Sequence, residues 1–399
     1  MMLMASMTTD ALNITVPAFA ALGLDAAVLY TLSTAAGLVG TFGGLLVGWL
    51  CKKYKLRYLW TLCLVLAGVC SLIWANATNY VLYFIGFMGA YLGGMGFSYV
   101  VSNAVIANWL PRKKGPAMGV ATCGFPLSAT ITTLLLSKVV QGGISHVYYM
   151  YAAACFVMAV VVFLVVRDYP EELGKMPDNE AGFDREAQRR EYEEGLAYMK
   201  QSPWTAKKVL SCGKVWALVI AVGIGALIAS GIMSNFMGKF LESGFAPDQI
   251  LLLLVGAGLL AIPGSIFIGW VDTKLGTKKT AIIVSAIGVL AVAMNLVPVH
   301  VINIISLPFI GCMLGGVSNL CVGMTVVIWG RYDFNNVYRI LQPLCSAVGT
   351  FGIMIVGAVG TKVNYFAAYV VLLVLAVVSL IFFCLIKDKP ATVPGTKNN

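Results

Sequence analysis

The sequence predicts an all-α membrane protein of twelve transmembrane helices, arranged as two pseudo-symmetric six-helix bundles. Three observations predict it: twelve long apolar stretches, connections that alternate between Lys/Arg-rich and Lys/Arg-poor, and a second half that repeats the first. Apolar residues make up 59 % of the chain and charged residues 11 %, against roughly a quarter charged in soluble domains. A chain so poor in charge could not cover a surface in water. In lipid, apolar surface suits the solvent and helices satisfy their own backbone.

The expected spans are 2–23, 28–50, 58–76, 79–108, 116–138, 146–166, 214–241, 248–271, 280–298, 301–329, 338–360 and 364–386. These lengths match the ~20 residues that cross a ~30 Å hydrocarbon core. Basic runs follow the second, fourth, eighth and tenth spans: Lys52 to Arg57, Arg112-Lys113-Lys114, Lys274 to Lys279, and Arg331 to Arg339. Of the 27 Lys and Arg, only Lys138, Lys239 and Lys362 fall in or beside odd-numbered connections. Positive charge resists translocation, so the basic face and both termini are expected in the cytoplasm. A multi-pass protein of a plasma membrane or bacterial inner membrane follows. The chain opens inside an apolar stretch without a basic leader or cleavage site, so no cleavable signal peptide is expected, and a short leader ahead of Met1 stays open.

The net charge of +10 does not point to nucleic acid, because the cations sit in short connections beside spans, where they set topology and meet anionic headgroups. The 10 cysteines are scattered singly without a CxxC pair, which gives neither a disulfide framework nor a zinc site. They read as small packing residues. His146 and His300 stand alone at edges of odd connections. No Walker A sequence, HExxH or paired metal ligands occur. No cofactor, metal or enzymatic activity is expected.

Four regions are expected: a bundle over 1–166, a linker over 167–213, a second bundle over 214–386 and a tail over 387–399. Signs mix at helical spacing from Asp184 to Met199, and Ser202-Pro203-Trp204 reads as an N-cap followed by Pro in the first turn. This predicts an amphipathic helix over 184–212 on the cytoplasmic membrane face, with a flexible linker as the alternative. The bundles repeat: Gly37, Gly43, Gly48 and Trp49 recur as Gly258, Gly264, Gly269 and Trp270, an offset of 221. Gly96 and Trp109 recur as Gly316 and Trp329, an offset of 220. Gly40, Gly44 and Gly48 lie four apart on one face, a spacing that lets helix backbones approach.

The segment Gly269-Trp270-Val271-Asp272-Thr273-Lys274-Leu275-Gly276-Thr277-Lys278 resembles the loop motif of the major facilitator superfamily, and the likeness in span number and repeat covers the whole chain. Gly48 to Lys55 is its poorer copy, with Lys52 where the family carries an acid. The resemblance implies the major facilitator fold, a transporter, and a cavity lined by the first, fourth, seventh and tenth spans. Within the superfamily, Asn108 to Gly119, Tyr169 to Asn179 and Trp204 to Trp216 resemble the oxalate/formate antiporter group, which is akin to monocarboxylate carriers. That group implies an Arg in the eighth span and a Lys in the eleventh for a dianion. Here 248–271 holds neither, and the eleventh reads Cys345-Ser346-Ala347. A monoanion, or a neutral or zwitterionic solute, is expected instead of oxalate.

A charge inside hydrocarbon costs several kcal/mol, about 3 on insertion scales, so ionisable residues in spans are functional candidates. Asp10, with Asn13 and Pro17 at i, i+3 and i+7 on one helical face, is the candidate for proton coupling. The alternative is a cap on a short first helix. Arg339, Gln342, Ser346 and Thr350 form a polar stripe on the eleventh span. Gln342 and Ser346 are cavity candidates, whereas Arg339, near the cytoplasmic end, reads as a gate or snorkelling anchor. Asp272 is the second gate candidate. Asn13, Asn103, Asn235 and Asn319 place one amide in each cavity-lining span, with Tyr99 beside Asn103. Amides bind neutral and anionic groups without a buried charge. They also serve as interhelical glue. The expected function is secondary active transport of a small organic anion, a monocarboxylate, coupled to protons or by exchange, by a monomer in the bilayer. Efflux of amphipathic solutes, or a transporter-like solute sensor, are the alternatives.

Overall fold

The computed structural model describes residues 6–51, 53–110, 120–121, 124–173, 175, 190, 194, 197–198 and 201–387. The Arg112-Lys113-Lys114 run, Lys52, the Pro177-Asp178-Asn179 segment and most of residues 184–200, the first part of the expected 184–212 helix, lie outside them. The described chain is helical. In order come α1 (Leu12–Ala21), α2 (Ala26–Leu50), α3 (Leu56–Ala75) and α4 (80–109). Then α5 (Gly124–Val139) and α6 (Ile144–Val165) complete the first half. The second half holds α7 (213–242), α8 (Pro247–Leu275), α9 (Thr277–Leu296), α10 (300–329), α11 (331–362) and α12 (Tyr365–Leu385). Among the described residues, ten helices are long and apolar enough to cross a bilayer, with shorter apolar helices at Leu12–Ala21 and Asn319–Gly330. Large apolar side chains face outward: Leu252 is 69 % and Ile266 67 % exposed. Water would penalise that surface, and lipid does not.

Three expected boundaries are corrected. α1 starts at Leu12, after a 3-10 turn at Ser6–Thr8, instead of near residue 2. The seventh span breaks at Asn235 and resumes as Phe236–Glu242. The expected connection at 330–337 is helix beyond Gly330, not loop: His300–Lys362 is one run bent at Gly330, whose φ of 72° and ψ of 178° make the whole turn in a conformation that glycine adopts without strain. The expected helix start is also displaced. Thr205, not Ser202, caps the short helix Ala206–Leu210, by accepting from the Lys208 N–H. Ser202 instead donates from Oγ to Asp333 Oδ1 at 2.6 Å.

The repeat read in the sequence is structural. α3 and α9 start at 56 and 277 and end at 75 and 296, and α2 and α8 start at 26 and 247. α4 and α10 start at 80 and 300. The slip from 221 to 220 therefore lies in one turn: residues 76–79 join α3 to α4, whereas 297–299 join α9 to α10. The contacts repeat with it. A Cβ on Gly96 would meet Cys63 and Val47, and one on Gly316 would meet Val284 and Ile268. Of the glycines four apart on α2, Gly40 makes the close approach, against the Leu92 backbone of α4; Gly44 and Gly48 are looser.

Each half has its own core. In the first, Trp74 stacks on Tyr148 at 4.2 Å and meets Phe87 edge-on at 5.1 Å, while Phe19 meets Tyr83 at 5.3 Å. In the second, Phe236 stacks on Phe240 at 4.3 Å. Carboxylates tie helix ends within each half. Asp168, just past α6, accepts the Leu56 and Arg57 N–H groups at 2.7 and 2.9 Å and so caps α3. Glu242, ending α7, accepts the Tyr365 and Phe366 N–H groups of α12 at 2.7 and 3.2 Å. Asp168 is buried. Asp168→Ala should therefore destabilise the protein by about 2 kcal/mol, with Asp168→Asn less damaging because its amide oxygen still accepts. Melting in detergent, followed by tryptophan fluorescence, checks this; equal midpoints for Asp168→Ala and the parent would exclude the cap.

Candidate functional site between the two halves

α7 fails at Asn235, whose φ of −125° and ψ of 17° leave the helix. In an unbroken helix the Met237 N–H would donate to the Met233 carbonyl. Here the Asn13 carboxamide of α1 takes both groups. Its Oδ1 accepts from Met237 N at 3.0 Å, and its Nδ2 donates to the Met233 carbonyl. The second Nδ2 hydrogen goes to the Asp10 carbonyl at 3.0 Å. Asn13 is 2 % exposed, and its oxygen and both its amide hydrogens are used.

Other bonds run across the same seam. Thr34 Oγ1 of α2 donates to the Thr350 carbonyl of α11 at 3.3 Å, and Tyr91 OH of α4 lies 3.3 Å from Thr350 Oγ1. Thr130 Oγ1 of α5 donates to the Val255 carbonyl of α8 at 3.4 Å. On α7, α8 and α11 these contacts fall in the half nearest the odd-numbered connections. The halves are thus stitched together at the odd-connection face.

Deeper in lies a polar layer. Asp10 is 8 % exposed, on the turn that leads into α1. Tyr99 of α4 lies within electrostatic range of Asp10 and Tyr91, and Tyr338 of α11 within range of Tyr99. Tyr99 lies in a π-helical turn, Met95–Val100. Such turns interrupt α-helices at functional sites, and this one follows a run of small residues, Gly93-Gly94 and Gly96. One turn on, Asn103 Oδ1 is buried without a hydrogen-bond partner, as is Asn235 Oδ1 at the α7 break. Gln342 Nε2 donates to Ser346 Oγ at 3.3 Å, and Thr350 Oγ1 donates to the Ser346 carbonyl at 2.9 Å, so the α11 stripe is continuous. Asn319 donates to the Gly315 carbonyl of its own helix at 3.4 Å.

At the even-connection end Arg339 is half-buried on α11. Asp272 is half-buried near the end of α8, with Oδ1 shielded and without a hydrogen-bond partner among the described residues. The linker docks nearby: Ser202 and Tyr198 both reach Asp333, and Trp204 packs edge-on against Trp329 at 5.9 Å. The Asp333 carboxylate holds the Tyr198 phenol above the usual tyrosine range.

The structure thus groups Asp10 with Tyr99, sets Asn13 and Asn235 at the α7 break, and strings Gln342 and Ser346 along α11. Asn319, Arg339 and Asp272 stand apart from these groups. Tyr91, Tyr338, Thr34 and Thr130 were not foreseen. Tyr91 and Tyr338 had a signal, each being a polar ring on the same helix as a named candidate; Thr34 and Thr130 had none, since hydroxyls in apolar helices often bond their own backbone.

Two halves of six helices, joined across a polar seam, define the architecture of a secondary transporter. The sequence profile of the Major Facilitator Superfamily matches residues 1–329, and the chain belongs to that family. It is a multi-pass membrane transporter. Solved structures share the fold. A D-xylose–proton symporter is 15 % identical, with 98 % of this chain and 97 % of that one covered at a TM-score of 0.72. A bacterial homolog of the human lysosomal transporter Spinster, inward-facing and occupied, is 13 % identical, with 96 % and 94 % covered at 0.68. The nucleoside transporter NupG is 14 % identical, with 96 % of each chain covered at 0.66. No curated protein matches at a significant level.

Proposed function

We propose that the protein carries a small organic anion, a monocarboxylate, across a plasma or bacterial inner membrane by alternating access, coupled to protons or by exchange. It would act as a monomer with both termini in the cytoplasm, its bundles at 1–166 and 214–386 rocking about the seam and the 167–213 linker lying on the cytoplasmic side. The oxalate/formate antiporter group remains the subgroup whose motifs this sequence resembles.

One observation carries the reading: the polar layer combines a buried acid, Asp10, with hydroxyls and amides, and the α11 stripe of Gln342, Ser346 and Thr350 continues it, with Arg339 apart from them as a gate nearer the even-connection end. A guanidinium can pair a carboxylate bidentately. Buried acceptors without partners, at Asn103 and Asn235, mark amides that a ligand can satisfy. Asp272, with its shielded and unpartnered oxygen, fits a gate that finds its cation when the even-connection face closes.

Counterflow in proteoliposomes with labelled formate, lactate or pyruvate tests this. Exchange of at least one is expected, and Arg339→Gln should raise its KM about tenfold, the loss of about 1.4 kcal/mol of charged hydrogen bonding. Binding without flux for all three would favour a sensor and sink the carrier reading.

A further inference from the structure

Trp49 and Trp270 lie at equivalent places in the two halves, at the even-connection ends of α2 and α8. Each ring is turned outward, 54 % and 56 % exposed. Four residues on, each carries an exposed lysine whose ammonium sits over the ring, Lys53 at 4.9 Å and Lys274 at 5.4 Å from the centroid. The repeat continues one turn earlier, where Leu46 and Phe267 also face outward. All three pairs differ by the same 221 residues that relate α2 to α8.

Outward apolar residues that end in Trp and then Lys place the ring at the edge of the hydrocarbon and the ammonium at the headgroups. A ring face holds a cation within about 6 Å without using up its hydrogen-bond donors, so the three ammonium hydrogens stay available for phosphate oxygens. We propose that these two Trp–Lys pairs are a matched set of binding sites for the headgroups of anionic phospholipids, one on each half. Each site fixes the depth of α2 or α8, the helices that carry Thr34 and accept Thr130 at the seam. A zwitterionic headgroup brings its own ammonium against the lysine and is bound less well.

The test is melting of the full chain in detergent with added dioleoyl phosphatidylglycerol or dioleoyl phosphatidylcholine. Phosphatidylglycerol should raise the wild-type midpoint more than phosphatidylcholine does. Lys53→Gln and Lys274→Gln should each remove about half of that difference, and the double variant nearly all of it, since each lysine adds its own attraction to an anionic surface. Lys53→Arg with Lys274→Arg should restore it. Exposed lysines elsewhere serve as the control, and Lys175→Gln with Lys207→Gln should leave the difference intact. Equal effects of the two lipids, a double variant that keeps the difference, or a control pair that loses as much of it would each overturn the proposal.

Discussion

Under the proposed proton coupling, Asp10→Asn is expected to abolish proton-driven accumulation of substrate while counterflow persists. The residue is buried within electrostatic range of Tyr99, on the turn that leads into the helix whose Asn13 crosses to α7. An amide keeps the size and much of the hydrogen bonding of the acid, but it cannot release a proton. Exchange of substrate for substrate needs no proton release, so it survives. Net uptake needs the acid to load on one side and unload on the other. The energy at stake is that of moving an uncompensated carboxylate through the bilayer interior, about 3 kcal/mol, or a factor on the order of 100 in rate. Uptake and counterflow are measured in the same proteoliposomes under an imposed pH gradient. An Asp10→Asn protein whose uptake still follows the gradient like the parent would remove Asp10 from the coupling.

Asn13→Leu is expected to open the seam at the odd-connection face. Leucine fills a similar volume but leaves the Met237 N–H and the Met233 carbonyl buried without partners. Each such group costs about 1–3 kcal/mol while it stays dry. Water reaches both once α1 and α7 part, so the penalty falls on the closed arrangement alone. Even the lower figure for both groups shifts the balance toward the parted state by more than about tenfold. Spin labels on the exposed Leu22 and Leu241, at the ends of α1 and α7, report the separation. The distance distribution should move to longer values in Asn13→Leu and stay unchanged in a Thr31→Ala control, whose hydroxyl bonds only within α2. An unmoved distribution in Asn13→Leu would mean that the carboxamide repairs the helix without holding the halves.

The fold was legible for reasons that can be named. Alternating charge gave the connections, and the recurrence of Trp49 and Gly96 at fixed distances gave the two halves. The two offsets, 221 and 220, carry no explanation in the sequence; their difference is one residue in the turn before α4. What stayed hidden depends on partners far apart in the chain. A break at Asn235 has no local signature, since neither proline nor glycine stands there; it persists because Asn13, more than 200 residues earlier, supplies the missing bonds. Likewise the π-turn at Tyr99 and the hold of Asp333 on Ser202 are set by tertiary packing. Residues 330–337 read as a loop because basic residues mark connections, but a single glycine turns the chain there.

The α7 break makes the duplicated halves unequal. Asn13 is the peg and the gap at Asn235 is the notch, and each occurs on one side only: α1 runs unbroken through Ile14, which pairs with Asn235 in the repeat, and Ser234, which pairs with Asn13, bonds back to Ser230 within α7. A chain built from two first halves would carry two pegs and no notch; one built from two second halves would carry two notches with nothing to fill them. Duplication can supply both bundles, but only divergence at these positions lets one bundle lock onto the other.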